Sequence, residues 1–322
     1  MIEETRAHPP APCCAASRPE HRAGAQQPVR TLQGDRSGST KGMELLQGGT
    51  FLMGTDDDVG FPADGEGPVR EMYLDPLYVG ACAVTNAEFS RFVKTTRYKT
   101  EAEVFGWSFV FRKFLSPALD QRLTQVVAEA PWWAPVPGAM WRHPEGPRSG
   151  IKSQMDHPVV HVSWADAAEY CGWAGLRLLT EAEWEYAARG GLEQKRYTWG
   201  DELTPGEEHR CNIWQGTFPE VNTSEDGYAG TAPVRSFPPN GFGLFNMSGN
   251  VWEWVSDWFT TQHHNGPRRN PTGPPEGASR VIRGGSYLCH ASYCDRYRVA
   301  ARSSNTPDSS TGNLGFRCAR NA

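Results

Sequence analysis

The residues best suited to chemistry are two cysteines, Cys289 and Cys294, within Arg283-Gly284-Gly285-Ser286-Tyr287-Leu288-Cys289-His290-Ala291-Ser292-Tyr293-Cys294-Asp295-Arg296-Tyr297-Arg298. Five positions along a helix turn one side chain about 140° from the other, and on a strand they face opposite sides. Both sulfurs can meet only if the segment bends, so a loop or turn is implied. Two thiolates brought together form a disulfide or hold a soft metal. Zinc wants four ligands, and no second Cys-x2-Cys or His pair completes such a site. Copper(I) is satisfied by two thiolates in a near-linear arrangement. Spacing alone supports a plain disulfide at least as well. Arg283, Arg296, Arg298 and Arg302, if they also lie close in space, would favour thiolate over thiol.

The eight cysteines, at 13, 14, 82, 171, 211, 289, 294 and 318 of 322 residues, are too sparse for a disulfide scaffold. The net charge of −5 and the absence of a Lys/Arg run argue against nucleic acid. No stretch approaches the ~18 apolar residues of a membrane span. The start, Met1-Ile2-Glu3-Glu4, is acidic and no apolar run follows, so no secretory signal is read and cytoplasmic residence is expected.

Residues 1–42 are rich in Pro, Ala, Arg, Gln, Gly and Ser without apolar period, and a disordered tail is expected there, with Cys13-Cys14 incidental. The folded domain is expected over 43–322, opening with a short strand at Met43-Glu44-Leu45-Leu46, a glycine turn and a second strand. The acidic loop Asp56-Asp57-Asp58 reads as solvated surface. Capping boxes, in which a hydroxyl and a carboxylate three residues on satisfy backbone donors, open three helices at Thr85–Glu88, Ser163–Asp166 and Thr180–Glu183. Their charged residues are expected to be caps and solvent faces. Gly and Pro number 34 and 25, which favours turns and loops, and most of the 12 Trp residues are expected to build the core. Arg280-Val281-Ile282-Arg283 suggests a strand.

Over residues 43 to 320 the chain resembles the formylglycine-generating enzymes, or sulfatase-modifying factors. The strings that carry the resemblance include Ala130-Pro131-Trp132-Trp133, Trp141-Arg142-His143-Pro144-Glu145-Gly146-Pro147 and His157-Pro158-Val159-Val160-His161-Val162-Ser163-Trp164. Others are Leu179-Thr180-Glu181-Ala182-Glu183-Trp184-Glu185-Tyr186, Cys211-Asn212-Ile213-Trp214-Gln215-Gly216 and Gly249-Asn250-Val251-Trp252-Glu253-Trp254. The most specific are the Cys-x4-Cys at 289 and 294 and the string Arg302-Ser303-Ser304-Asn305-Thr306-Pro307-Asp308-Ser309-Ser310 after it.

The resemblance implies a single α+β domain related to C-type lectins and low in regular secondary structure. It implies an oxidase that uses O2 and a thiol reductant to convert the Cys of a Cys-x-Pro-x-Arg motif, in an unfolded sulfatase polypeptide, to Cα-formylglycine. Cys289 and Cys294 match the family's copper(I)-binding catalytic pair. Ser286 and Trp252 match residues lining its oxygen and substrate pocket, and His290 adjoins the first cysteine. Asn313 is a candidate contact for the substrate peptide, and Trp132 and Trp133 are either pocket aromatics or core. Structural calcium is implied at two sites: Asn212, Ile213, Asp226 and Tyr228, and then Asn246, Gly249, Val251 and Glu253. Oxygen donors are what this hard cation selects. A monomer is expected, with no nucleic acid or membrane partner.

Departures from the pattern also speak. Cys171 and Cys318 match a disulfide of secretory-pathway relatives, and whether they bond here is left open. A second disulfide of those relatives falls on Ala188 and Val299, so both partners are replaced together by apolar residues. Two rivals are an iron-dependent sulfoxide synthase, whose histidine-bearing N-terminal domain finds no room here, and a non-enzymatic binding module, against which both cysteines argue. A third reading keeps the chemistry but uses the pair as a dithiol relay without copper.

Overall fold

The computed structural model describes residues 16–18, 38–125, 127–128, 130–263 and 266–322. Short strands and long loops dominate. One antiparallel sheet runs Met43–Leu46, Leu77–Gly80, Cys318–Asn321, Arg177–Leu178, so the start and end of the folded chain are neighbours. A second sheet runs Arg302–Asn305, Arg280–Arg283, Trp252–Trp258, Leu314–Phe316, its last pair parallel. Gly49–Met53 pairs with Arg70–Leu74 in a third sheet, and Trp107–Phe111 pairs with Trp133–Pro137 in a hairpin. Parallel bridging of Phe109 to Thr311 ties that hairpin to the loop before the final strands.

The three expected helices form at Asn86–Thr96, Trp164–Trp173 and Glu181–Arg189, each with both arms of its capping box made. A fourth box, Thr100 with Glu103, opens the five-residue helix Glu101–Phe105. Arg97, Gly106 and Gly190 end three of these helices in the left-handed region. No helix among the described residues is long and apolar enough to cross a membrane.

Aromatic residues fill the interior, as the Trp content suggests. Trp133, Trp141, Trp184, Trp214, Trp252 and Trp254 are each among the most deeply buried side chains. Ala188 and Val299 lie in one apolar cluster with Trp184 and Leu244, so packing stands where a disulfide would. The Cys171 and Cys318 sulfurs sit 3.4 Å apart in a separate cluster, unbonded.

The charged residues of the third helix are not a solvent face, which corrects the reading from the sequence. Glu181 and Glu185 are buried. Glu185 binds Arg189 at 2.6 Å and Arg283 at 2.7 Å, while Glu181 binds Arg283 at 2.9 Å and Arg302 at 2.7 Å. A buried carboxylate is tolerated only when it is paired in this way. The loop Asp56–Asp58 is exposed, as expected. Within the segment expected to be disordered, Ala16 and Arg18 instead have buried places against the domain.

Candidate functional site

The strand Arg280–Arg283 delivers the chain to the cysteine segment. Gly284 and Gly285 follow with φ of 93° and 71°. A Cβ on Gly285 would lie 2.9–3.0 Å from the backbone of Arg296 and Tyr297, so only glycine lets the outgoing and returning chain pass there. The Ser286 carbonyl then accepts the Cys289 N–H at 2.9 Å. The His290 carbonyl accepts the N–H groups of Tyr293, Cys294 and Asp295 at 3.0, 2.8 and 3.1 Å. These turns supply the required bend and bring the two sulfurs to 3.0 Å, both fully buried. That separation is well beyond an S–S bond of about 2.05 Å.

The surroundings of the pair hold it firmly. The Ser286 N–H donates to the Cys289 sulfur at 3.3 Å, an interaction that favours a thiolate. The Ser286 hydroxyl stands 4.0 Å from the same sulfur and accepts the side-chain N–H of Asn313 at 2.9 Å. Asn313 in turn accepts the Thr311 hydroxyl at 2.7 Å. The Asn313 carbonyl also accepts the Trp252 N–H at 2.8 Å, and the Trp252 ring packs in the cluster that contains both cysteines. Thus Ser286, Trp252 and Asn313 converge on the pair. Asn313 is fully buried behind Ser286, which makes it a support for that hydroxyl rather than an open peptide-binding surface. The His290 ring pairs with the Ser292 hydroxyl at 2.7 Å and borders a cavity of about 190 Å³ shared with Arg210, Cys211, Trp214 and Tyr297.

The four nearby arginines do not present unpaired charge to the sulfurs. Arg296 binds Asp64 at 2.6 Å and Arg298 binds Glu66 at 2.6 Å. Arg283 and Arg302 are held by Glu181 and Glu185. They fasten the strand and loop that carry the cysteines to the rest of the domain. Tyr293, just before Cys294, stacks on Phe218 at 4.5 Å and meets the edge of Trp132 at 4.9 Å. Trp132 thus belongs to a half-exposed aromatic wall beside the site, whereas Trp133 is core. Phe218 and Tyr293 carried no signal in the sequence, because ring contacts between distant loops leave no local pattern. A cavity of about 740 Å³ lies elsewhere, lined by residues that include Trp164, Cys171, Leu176 and Thr180.

The donor sets can be compared with the ions expected of them. Among the described residues no group of three or more His, Cys, Asp or Glu side chains is placed to hold a metal. The pair therefore offers two soft sulfurs, a set that suits copper(I) and falls short of zinc's four ligands. At the first calcium set, the Asn212 side-chain oxygen is buried without a hydrogen-bond partner, as an acceptor awaiting a cation would be. Asp226 accepts the N–H groups of Ile213 and Tyr228 at 2.9 Å each, and the Gln215 side-chain amide donates both to Asp226 at 2.9 Å and to the Ile213 carbonyl at 2.5 Å. At the second set both side-chain polar atoms of Asn246 are buried without partners. Gly249 abuts the Asn212 backbone there, so the two sets adjoin. The Glu253 carboxylate is already engaged by Arg317 at 2.7 Å through both oxygens and by the Trp184 indole N–H at 2.8 Å. Each set thus keeps one buried side-chain amide oxygen without a hydrogen-bond partner, at Asn212 and at Asn246.

Residues 29–322 match the family model described as a sulfatase-modifying factor enzyme 1-like domain. A formylglycine-generating enzyme of Streptomyces coelicolor is 61% identical over 288 residues, covering 89% of this chain and 91% of that protein. One of Thermomonospora curvata is 59% identical over 283 residues, covering 87% and 93%. Among solved structures, PvdO from Pseudomonas aeruginosa superposes with a TM-score of 0.62 at 26% identity, covering 87% of this chain and 94% of that one.

Proposed function

Because the chain belongs to the family of sulfatase-modifying, formylglycine-generating enzymes, we propose that it activates sulfatases by converting a cysteine to formylglycine, with copper(I) held by Cys289 and Cys294. The observation that carries the copper assignment is the 3.0 Å approach of two buried sulfurs. Cys289 and Cys294 would hold the ion, and a soft ion suits thiolate donors. Copper supplies the activation of O2, and the protein supplies position and a dry environment.

The chain's own residues have definable tasks. The Ser286 N–H stabilises negative charge on the Cys289 sulfur. The Ser286 hydroxyl, fixed by Asn313, points into the space around that sulfur and can hold a proton or a small polar reactant there. Trp252, fully buried, excludes water from the inner wall. Tyr293, Phe218 and Trp132 offer an apolar face to an extended peptide. In balance, one peptide thiol, one O2 and two reductant thiols give one aldehyde, one hydrogen sulfide, one water and one disulfide. The substrate is an unfolded sulfatase segment bearing Cys-x-Pro-x-Arg. Calcium at Asn212, Ile213, Asp226 and Tyr228 ties two loops that have little regular structure.

Metal analysis of the purified protein, followed by turnover of a motif peptide under a strong copper(I) chelator, tests the role of copper. The expected result is near one copper per chain and loss of aldehyde formation on chelation. Undiminished turnover in the chelator would leave the dithiol relay as the mechanism.

A further inference from the structure

Ala16 and Arg18 are buried although residues 16–18 form no regular element, and most partners of these residues lie at the far end of the chain. The Ser17 hydroxyl donates to the Asn305 side-chain oxygen at 2.7 Å, and the Asn305 amide donates to the Ala16 carbonyl at 3.3 Å. The Arg18 N–H donates to the Ser309 hydroxyl at 2.7 Å. Its guanidinium donates to the carbonyls of Asp308 and Trp107 at 3.0 and 2.9 Å and to the Ser310 hydroxyl at 3.2 Å. The same guanidinium lies over the rings of Phe105 and Trp107, 4.2 and 4.1 Å from their centroids, a geometry that favours a planar cation.

The cradle is arranged for a donor. His161, fully buried, is kept neutral by desolvation, which lowers its pKa to about 4. With one ring N–H given to the Pro144 carbonyl at 2.8 Å, its other nitrogen accepts the Ser108 hydroxyl at 2.8 Å. Ser108 lies 2.8 Å from both the carbonyl and the hydroxyl oxygen of Ser310, and that hydroxyl also accepts the guanidinium N–H.

Ala16 packs in the same apolar cluster as Tyr287 and Leu288, the two residues before Cys289. The cradle therefore adjoins the loop that carries the cysteine pair. In sequence, Cys14-Ala15-Ala16-Ser17-Arg18 repeats the cysteine and arginine of Cys-x-Pro-x-Arg at the same spacing, with Ala16 at the proline position. We propose that the segment ending in Ala16-Ser17-Arg18 is a built-in substrate mimic that occupies the peptide cleft and competes with the sulfatase. This inference rests on the sulfatase-motif reading above. A tethered ligand faces its site at an effective concentration on the order of millimolar, so even a weak mimic raises the apparent affinity threshold for substrate.

The test uses the full chain without added metal and a fluorescent peptide in which Ser replaces the motif Cys, so that binding is read without turnover. Arg18→Glu is expected to bind this peptide at least ~10-fold more tightly than the unmodified protein, because release of the tethered competitor removes its concentration term. Equal affinity in the two proteins overturns the proposal while leaving the substrate reading intact. Hydrogen exchange of the unmodified chain gives a second measurement that needs no variant. Residues 16–18 are expected to be protected and to lose protection when excess motif peptide is added. Protection unchanged by peptide that demonstrably binds overturns the competition. A peptide that binds neither protein rejects the substrate reading and the competition together.

Discussion

Replacing Glu181 by Gln probes the anchor of the cysteine segment. Glu181 is buried, accepts Arg283 at 2.9 Å, and takes both Nε and Nη2 of Arg302 at 2.7 Å. Burial alone would raise its pKa, but Arg302 and then Arg283 overcome that and hold it at about 2, against an ordinary 4.5. The folded value lies below the unfolded one, so the stabilisation is present above pH 4.5 and is lost as pH falls toward 2. Integrated over that gap it amounts to ~3 kcal/mol. Breaking a buried ion pair from one side gives a similar ~3–5 kcal/mol. At roughly 2–4 °C per kcal/mol for a domain of this scale, Glu181→Gln lowers Tm by about 6–20 °C at pH 7. Scanning calorimetry at pH 7 and again near pH 3 checks this, and the gap between the two proteins narrows at the lower pH. A Tm loss under about 2 °C, or a gap independent of pH, would refute the reasoning that these pairs anchor the segment.

Asn313→Ala removes the N–H that fixes the Ser286 hydroxyl. It is expected to lower kcat on the order of tenfold with little change in KM, the equivalent of one buried hydrogen bond lost; steady-state kinetics with a motif peptide reads this split. Chelation of calcium is expected to lower Tm in the unmodified protein and to have little effect in Asn212→Leu, as differential scanning fluorimetry can show. His161 is neutral when folded, with its pKa lowered from 6.5 to about 4 by burial. The unfolded chain therefore binds a proton first, and about 3 kcal/mol of stability is lost between pH 6.5 and 4. Urea titrations of the unmodified protein and His161→Asn across that window should differ by this amount, and parallel curves would contradict it.

The sequence revealed most where chemistry is local. Three capping boxes gave three helices because hydroxyl and carboxylate sit within one turn of each other. The box at Thr100 has the same form, yet the five-residue helix it opens has no apolar period to announce it. The five-residue spacing of the cysteines required a bend, and the His290 carbonyl with its three N–H donors provides it. Glu181 read as solvent-facing because amphipathic reasoning sends charges outward. Its partners stand 102 and 121 residues away, where no window on the sequence links them. The same distance hid the place of Arg18, whose contacts with Asp308 and Ser310 join the two ends of the chain. Glu253, matched to calcium by resemblance, also accepts Arg317 and the Trp184 indole N–H, partners 64 and 69 residues away that no window on the sequence links to it.

Aldehyde formation on a Cys-x-Pro-x-Arg peptide, trapped by a hydrazide and compared among the copper-loaded protein, Cys289→Ser and Cys294→Ser, addresses the central assignment most directly. The account predicts product from the unmodified protein and none from either variant, with all three equally folded by circular dichroism. Full product from both variants would contradict it.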